Sequence, residues 1–157
     1  MFGFLGRDVV AGTGMGILAG TWLSVGLITL TSPPGSTSDA LGLFLLIAAV
    51  AMLVPASAAG MGKLVAFAVL ATTALRFATT GLYQLTASGT WEDVAGVTGL
   101  VLCALALYAA LAMALEDVAR ETRLPILRRA SGRASLEGGL DDQLERIERE
   151  AGVREQL

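Results

Sequence analysis

The chain has 157 residues, of which 54% are hydrophobic and only 16% are charged. A soluble domain normally carries about 25% charged residues and cannot bury so large an apolar share, which argues against a soluble enzyme or binding domain. The sequence has no histidine and only one cysteine, Cys103, so an intramolecular disulfide is excluded and the commonest general base and metal ligand is missing.

The charges are concentrated at one end of the chain. The stretch 116–157 holds 8 of the 11 basic residues and 10 of the 14 acidic ones. This separation indicates a membrane-embedded part followed by a water-exposed tail. No basic stripe with interleaved aromatic residues is present, so nucleic acid is not an expected partner.

Four apolar windows are long enough for spanning helices, which need roughly 20 residues to cross about 30 Å of hydrocarbon. They are residues 9–30, 41–59, 64–86 and 94–115. The backbone within them must be helical because the hydrocarbon offers no hydrogen-bond partners. We predict an all-α polytopic membrane protein with four transmembrane helices, an N-terminal cytoplasmic stub (1–8) and a charged cytoplasmic tail (116–157).

The orientation is predicted from the basic residues. Arg7, Lys63 and the tail fall on one side if the four spans alternate, whereas the opposite loops, 31–39 and 87–93, contain no Lys or Arg. By the positive-inside rule both termini are cytoplasmic, and the expected location is the plasma membrane or bacterial inner membrane.

The tail contains a predicted amphipathic helix at about 139–152. Leu140, Leu144, Ile147 and Ala151 share one face of it. Two interpretations remain open: a solvated helix, or a helix that docks on a neighbouring subunit or another protein.

Two of the windows carry small residues four apart, a spacing typical of close helix packing in lipid. The first window has Gly12, Gly16, Gly20 and Ser24, and the fourth has Ala106, Ala110 and Ala114. We predict that both sets are packing residues and that the protein is a homo-oligomer.

Arg76 lies near the middle of the third window, among threonines 72, 73, 79 and 80. An arginine stays charged, and at mid-membrane depth it costs at least ~3 kcal/mol on insertion scales. No acidic residue lies within any predicted span. One interpretation is a position that binds an anion or carboxylate, with the threonine hydroxyls nearby; the other is a side chain that snorkels towards a helix end.

The membrane part shows no chemistry typical of an enzyme. It contains no nucleophile–base pair, no carboxylate pair and no cluster of metal ligands. We therefore expect neither enzymatic activity nor a cofactor or metal ion.

Three segments carry a resemblance to the acetate uptake transporter family, the succinate–acetate permeases. AGVTGLVLCALALYAALAMALEDVARETRLPIL resembles the last helix of that family, and its part Arg120–Ile126 resembles the family's C-terminal ending. GTGMGILAGTWLSVG resembles the third helix, and the loop Gly60–Lys63 fits the connection between the fourth and fifth. The match covers nearly all of residues 7–127.

The resemblance implies six helices per subunit, a hexamer, and a pore in each subunit for acetate or related small carboxylates, proton-coupled or channel-like. This sequence departs from the pattern. It has four spans and no Asn-Pro-x-Pro-Leu-Gly motif, and Leu18 stands where the family's pore tyrosine is expected. We expect either a truncated chain or a shortened relative whose pore is closed by neighbouring subunits.

The leading hypothesis is a membrane transporter or channel for a small carboxylate anion such as acetate, with succinate as a further candidate. The expected substrate path is lined by Thr13, Leu18, Thr21, Trp22, Thr72, Thr73, Arg76 and Thr80. The alternative is a non-transporting membrane scaffold or accessory subunit.

Overall fold

The described part of the chain folds into four long helices. The computed structural model describes residues 9–119, 124, 125 and 127. Its helices are α1 (Val9–Thr31), α2 (Asp39–Gly60), α3 (Leu64–Thr86) and α4 (Gly89–Ala119). All four are long and apolar enough to cross a membrane. The shortest, α2, has 22 residues and is about 33 Å long, which matches the hydrocarbon thickness. The all-α, four-helix membrane architecture predicted from the sequence is confirmed.

The helix bounds follow the apolar windows to within two residues, except in α4, which extends beyond its window at both ends and finishes at Ala119, four residues after the predicted span. This helix begins at Gly89, five residues before the predicted span. The charged residues Glu92 and Asp93 were left out of the apolar window, but they belong to the beginning of the helix, where the helix dipole favours negative charge. The predicted stub at 1–8 and the predicted tail helix at about 139–152 lie outside the described residues.

Short connections hold α2 and α3 side by side and antiparallel. At one end, the Ser38 side chain caps α2 by accepting a hydrogen bond from the Leu41 N–H, and the Ser38 N–H donates to Gln84 Oε1 of α3 at 2.8 Å. At the other end, a tight turn closes with the Lys63 N–H donating to the Ala59 carbonyl at 2.7 Å. Both ends of the pair are therefore tied together by hydrogen bonds.

The core lies between α2 and α3. In the most apolar stretch of each helix, about 44% of the residues of α2 and 33% of those of α3 are buried, against 11% each for α1 and α4. The buried cluster consists of Leu41, Leu45, Ala48, Ala49, Met52, Ala74 and Phe77. The outer helices pack mainly on one neighbour each, α1 on α2 and α4 on α3, although Gly14 of α1 also lies close to Leu70 of α3. Most of the surface of α1 and α4 therefore faces away from this chain.

The backbones of α2 and α3 approach closely where two glycines meet. A Cβ added at Gly81 would lie 2.9 Å from the Gly42 carbonyl oxygen, and one added at Gly42 would lie 3.0 Å from the Gly81 carbonyl oxygen. No side chain larger than hydrogen fits at either position unless the helices separate. Such close approach is how helices associate in lipid, where apolar side chains gain nothing from leaving the solvent.

Candidate functional site

Two opposite faces of α3 determine where Arg76 points. Leu70, Ala74 and Phe77 recur at helical spacing and pack in the cluster against α2. Val65 and Val69, on the other side of the helix, pack against α4. Helical geometry places residue 76 on this second side, so the arginine lies in the seam between α3 and α4.

Arg76 sits at mid-depth in the predicted membrane. It is the thirteenth of the 23 residues of α3, about 15 Å along the axis from Thr86. Its side chain lies against Gly99 of α4. Arg76 is ten residues before the end of α3 at Thr86, and Gly99 is ten residues after the start of α4 at Gly89. The guanidinium therefore stays level with its own Cα. The snorkelling interpretation requires the side chain to extend towards a helix end, and within this chain it does not.

Gly99 provides the space in which the guanidinium lies. A Cβ added at Gly99 would be 3.2 Å from Arg76 Nε and 3.3 Å from Cζ. The Arg76 side chain is partly buried. Its Nη1 atom is fully buried and has no hydrogen-bond partner among the described residues. A buried charged donor left in this condition is costly, because it has lost water and gained no acceptor.

The acidic residues of α4 are too far along the helix to neutralise this charge. Glu92 and Asp93 are the acidic residues nearest in sequence to Gly99 on its N-terminal side, and Asp93 lies about 9 Å from it along the axis. On the C-terminal side, Glu116 is 17 residues beyond Gly99. The guanidinium thus occupies the middle of an apolar seam with its counter-charge missing from the described part of the chain.

The threonines around Arg76 use their protons within their own helix. Thr72 Oγ1 donates to the Ala68 carbonyl at 2.7 Å, and Thr80 Oγ1 donates to the Arg76 carbonyl at 2.7 Å. A hydroxyl has one proton, so these groups offer lone pairs to the seam, and they become donors only by rotating away from the backbone. Thr73 is buried and makes the same bond, to the Val69 carbonyl at 2.8 Å.

A second pair of hydroxyls joins α3 to α4 beside the arginine. Thr79 Oγ1 and Thr98 Oγ1 are 3.2 Å apart. Thr79 is three residues after Arg76, and Thr98 is one residue before Gly99. Thr79 stands out in the sequence as one of the threonines near Arg76, whereas neither Thr98 nor Gly99 was predicted to belong to a site. The missed signal was a polar residue followed by a glycine in the middle of an otherwise apolar helix.

The α1 residues of the predicted path are not gathered around Arg76 in this chain. Thr13 is exposed, and Leu18 packs on the α2–α3 cluster. Thr21 is buried and donates to the Ile17 carbonyl at 2.8 Å, whereas Trp22 is 65% exposed. Of the predicted path residues, Thr72, Arg76 and Thr80 are half-buried and lie one helical turn apart on the same side of α3. A shared path with α1 remains a prediction.

The small residues of α1 face two ways. Gly12 is buried. Gly16 and Gly20 are exposed, and a Cβ at either would meet nothing within 4 Å among the described residues. Ser24 donates its hydroxyl to the Gly20 carbonyl at 2.9 Å. Packing of Gly16 and Gly20 against a helix is therefore not found within this chain and remains a prediction for contact with another one.

The buried alanines of α4 are not the predicted ones. Ala106, Ala110 and Ala114 are exposed. Ala109 and Ala112 are buried against Val65 of α3, and Ala95 is also buried. The helix turns a neighbouring set of small residues towards α3, so packing of the predicted alanine stripe is not found within this chain and remains a prediction for contact with another one.

The described residues offer no site for a metal ion, since no group of three or more His, Cys, Asp or Glu lies close together in them. Comparison of the chain with protein-family models, with curated proteins and with solved structures finds no match.

Proposed function

We propose that this protein is a membrane transporter or channel for small monocarboxylates such as acetate. The observation that carries the proposal is the Arg76 guanidinium at mid-depth in the α3–α4 seam, with Nη1 buried and lacking an acceptor among the described residues. An ionisable residue inside a membrane is a functional-site hypothesis by default, because it is expensive to place there.

The energetics favour an anion as the missing partner. The cost of a mid-membrane arginine is at least ~3 kcal/mol, and an unsatisfied charged donor adds to it. A carboxylate removes both costs, since it supplies the opposite charge and acceptor oxygens whose spacing matches the guanidinium fork. Neighbouring hydroxyls such as Thr72 and Thr80 supply polar surface on the same face of α3.

The mechanism we propose has two stages. The positive charge attracts a small anion into the seam, where the guanidinium replaces part of its hydration shell. The apolar residues on either side of this position then form a constriction that strips the remaining water. Passage requires that the anion bind strongly enough to enter and weakly enough to leave.

The proposed location is a bacterial inner or plasma membrane with both termini in the cytoplasm. The described loops 32–38 and 87–88 contain no basic residue, whereas the connection between α2 and α3 contains Lys63. This asymmetry supports a cytoplasmic position for the Lys63 side. Homo-oligomerisation is part of the proposal, because α1 and α4 leave most of their surface uncovered.

Flux through the purified full-length chain in liposomes tests the proposal. We expect uptake of labelled acetate above that of protein-free liposomes, loss of that uptake in Arg76→Leu, and partial retention in Arg76→Lys, which keeps the charge but not the fork. Leu75→Ala, a change at the exposed neighbouring residue, is the matched control and should behave as wild type. Uptake by Arg76→Leu equal to wild type would remove the arginine from the mechanism.

A non-transporting scaffold or accessory subunit is the second candidate. The exposed, side-chain-free positions Gly16 and Gly20 of α1 favour it, because small residues on an outer helix allow close contact with another helix. This candidate predicts acetate uptake no greater than in protein-free liposomes, together with a stable oligomer that Gly16→Leu disrupts. Uptake with an unchanged oligomer in that variant would rule it out.

A further inference from the structure

Arg76 is not the only residue that defines the proposed site. We infer that Arg76 and Gly99 together form a binding site for one singly charged carboxylate, with Gly99 as its positioning residue. The inference rests on the proposed function and adds to it the rejection of dianions and the residue that places the guanidinium.

Gly99 sets the position of the guanidinium across the seam. The Arg76 Nε and Cζ atoms lie where a side chain at residue 99 would begin, 3.2 and 3.3 Å from an added Cβ. Any larger residue pushes the guanidinium away from α4. Since the atoms in contact are the far end of a flexible side chain, the arginine moves and the two helices keep their packing. A substitution at Gly99 therefore changes the site more than the fold.

Nη1 is the atom that determines the binding geometry. It is fully buried and has no acceptor within the part of the chain that the structure describes. A carboxylate oxygen that reaches this atom when the side chains packed around it move makes a charge-assisted hydrogen bond, the strongest kind that this seam offers. The hydroxyls of Thr79 and Thr98, which lie 3.2 Å apart between α3 and α4, are near Arg76 and Gly99 in sequence and are small polar groups rather than a second charge.

The charge count limits what the site accepts. Between residues 9 and 115 the only basic residue besides Arg76 is Lys63, which lies about 20 Å away along α3. One carboxylate neutralises the guanidinium. A dicarboxylate leaves one negative charge at mid-membrane depth without a partner, and an unpaired buried charge is strongly unfavourable. We therefore expect the site to take formate or acetate and to reject the succinate dianion.

The first arm of the test measures charge selection. The full chain in liposomes at about pH 7.5, well above the usual carboxyl pKa of about 4, takes up labelled acetate in the presence of unlabelled formate or succinate. Formate should compete with acetate. Succinate should require at least about a hundredfold higher concentration, because the unpaired charge costs several kcal/mol. Equal competition by succinate would overturn the single-charge site.

The second arm tests the positioning role of Gly99. Gly99→Val should raise the acetate concentration for half-maximal uptake about tenfold, as expected for loss of one hydrogen bond to a charged group. Gly96→Val is the matched control, since it lies one turn earlier on α4 and an added Cβ meets nothing within 4 Å among the described residues. It should stay within about twofold of wild type. If Gly99→Val does not fold, Gly99→Ala serves in its place with a smaller shift in the same direction.

The outcomes distinguish failure of the Gly99 positioning role from failure of the proposed function. Saturable acetate uptake by wild type, with equal half-maximal concentrations for the Gly99 and Gly96 variants, would overturn the positioning role and leave the proposed function standing. No uptake by wild type above protein-free liposomes would overturn the proposed function and this inference with it.

Discussion

Replacement of Gly81 by alanine should weaken the packing of α2 against α3. The new Cβ would lie 2.9 Å from the Gly42 carbonyl oxygen and 3.1 Å from Leu46 Cγ. Leu46 can rotate, but the carbonyl oxygen belongs to the backbone of α2. To reach the 3.4 Å at which ordinary contact begins, the two helices must move apart along the interface that contains the main buried cluster of the described residues.

The expected magnitude follows from two opposing terms. Alanine favours a helix over glycine by about 1 kcal/mol, whereas overpacking a well-packed interface costs about 1–3 kcal/mol. Gly96→Ala gains the first term without the second, because the space around Gly96 is open among the described residues. The difference between the two variants therefore isolates the overpacking and should be about 1–3 kcal/mol, with Gly81→Ala the less stable.

Thermal unfolding of the purified full chain in detergent measures this difference. For a chain of this size, 1 kcal/mol corresponds to about 2–4 °C in Tm, so Gly81→Ala should melt several degrees below Gly96→Ala. The reciprocal variant Gly42→Ala should also melt below Gly96→Ala, since its Cβ meets the Gly81 carbonyl oxygen at 3.0 Å. If Gly81→Ala melted together with Gly96→Ala, the close backbone contact of α2 and α3 would be refuted.

Three further substitutions test local contacts. Ser38→Ala removes the cap of α2 and should cost about 1 kcal/mol in unfolding free energy, whereas Ser38→Asn should retain most of the stability. A double-mutant cycle of Thr79→Val and Thr98→Val should give a coupling energy of about 0.6 kcal/mol, the usual worth of an interhelical hydrogen bond in a membrane; zero coupling would deny the contact. Tyr108→Phe removes the hydroxyl that donates to the Pro125 carbonyl and should cost about 1 kcal/mol, so unchanged stability would show that this bond is not formed in solution.

The sequence was sufficient to predict the number of long apolar helices and the position of Arg76 along α3. Long apolar windows must be helical in lipid, and a window fixes the position of a residue along the helix axis to within a few residues. Residue 76 accordingly lies at the middle of α3. The early start of α4 was missed because Glu92 and Asp93 lower the apolar character of its first turn without breaking the helix.

The side of each helix that faces its neighbour could not be predicted in the same way. In a soluble protein the apolar face points inward, but in lipid the outer face is apolar as well. The spacing of Gly16 and Gly20 or of Ala106 and Ala110 therefore identifies a small-residue stripe without saying what it contacts. Both pairs turn outward in this chain.

The partner of Arg76 could not be predicted from its own sequence neighbourhood either. The threonines beside it bond to their own helix, and the space for the guanidinium comes from Gly99, 23 residues later. That pairing depends on the register of α3 against α4, which follows from the short turn at Ala87 and Ser88.

Access of water-soluble anions to residue 76 is the most direct test of the central claim. In a Cys103→Ala background, Arg76→Cys in membranes should react with an impermeant, negatively charged thiol reagent, because an anion path must bring water to the α3–α4 seam. Leu100→Cys is the control at similar depth: Leu100 is 74% exposed on the outer surface of α4 and should stay unmodified in lipid. Modification at 76 but not at 100 is the predicted result, and a residue 76 as unreactive as residue 100 would contradict the account.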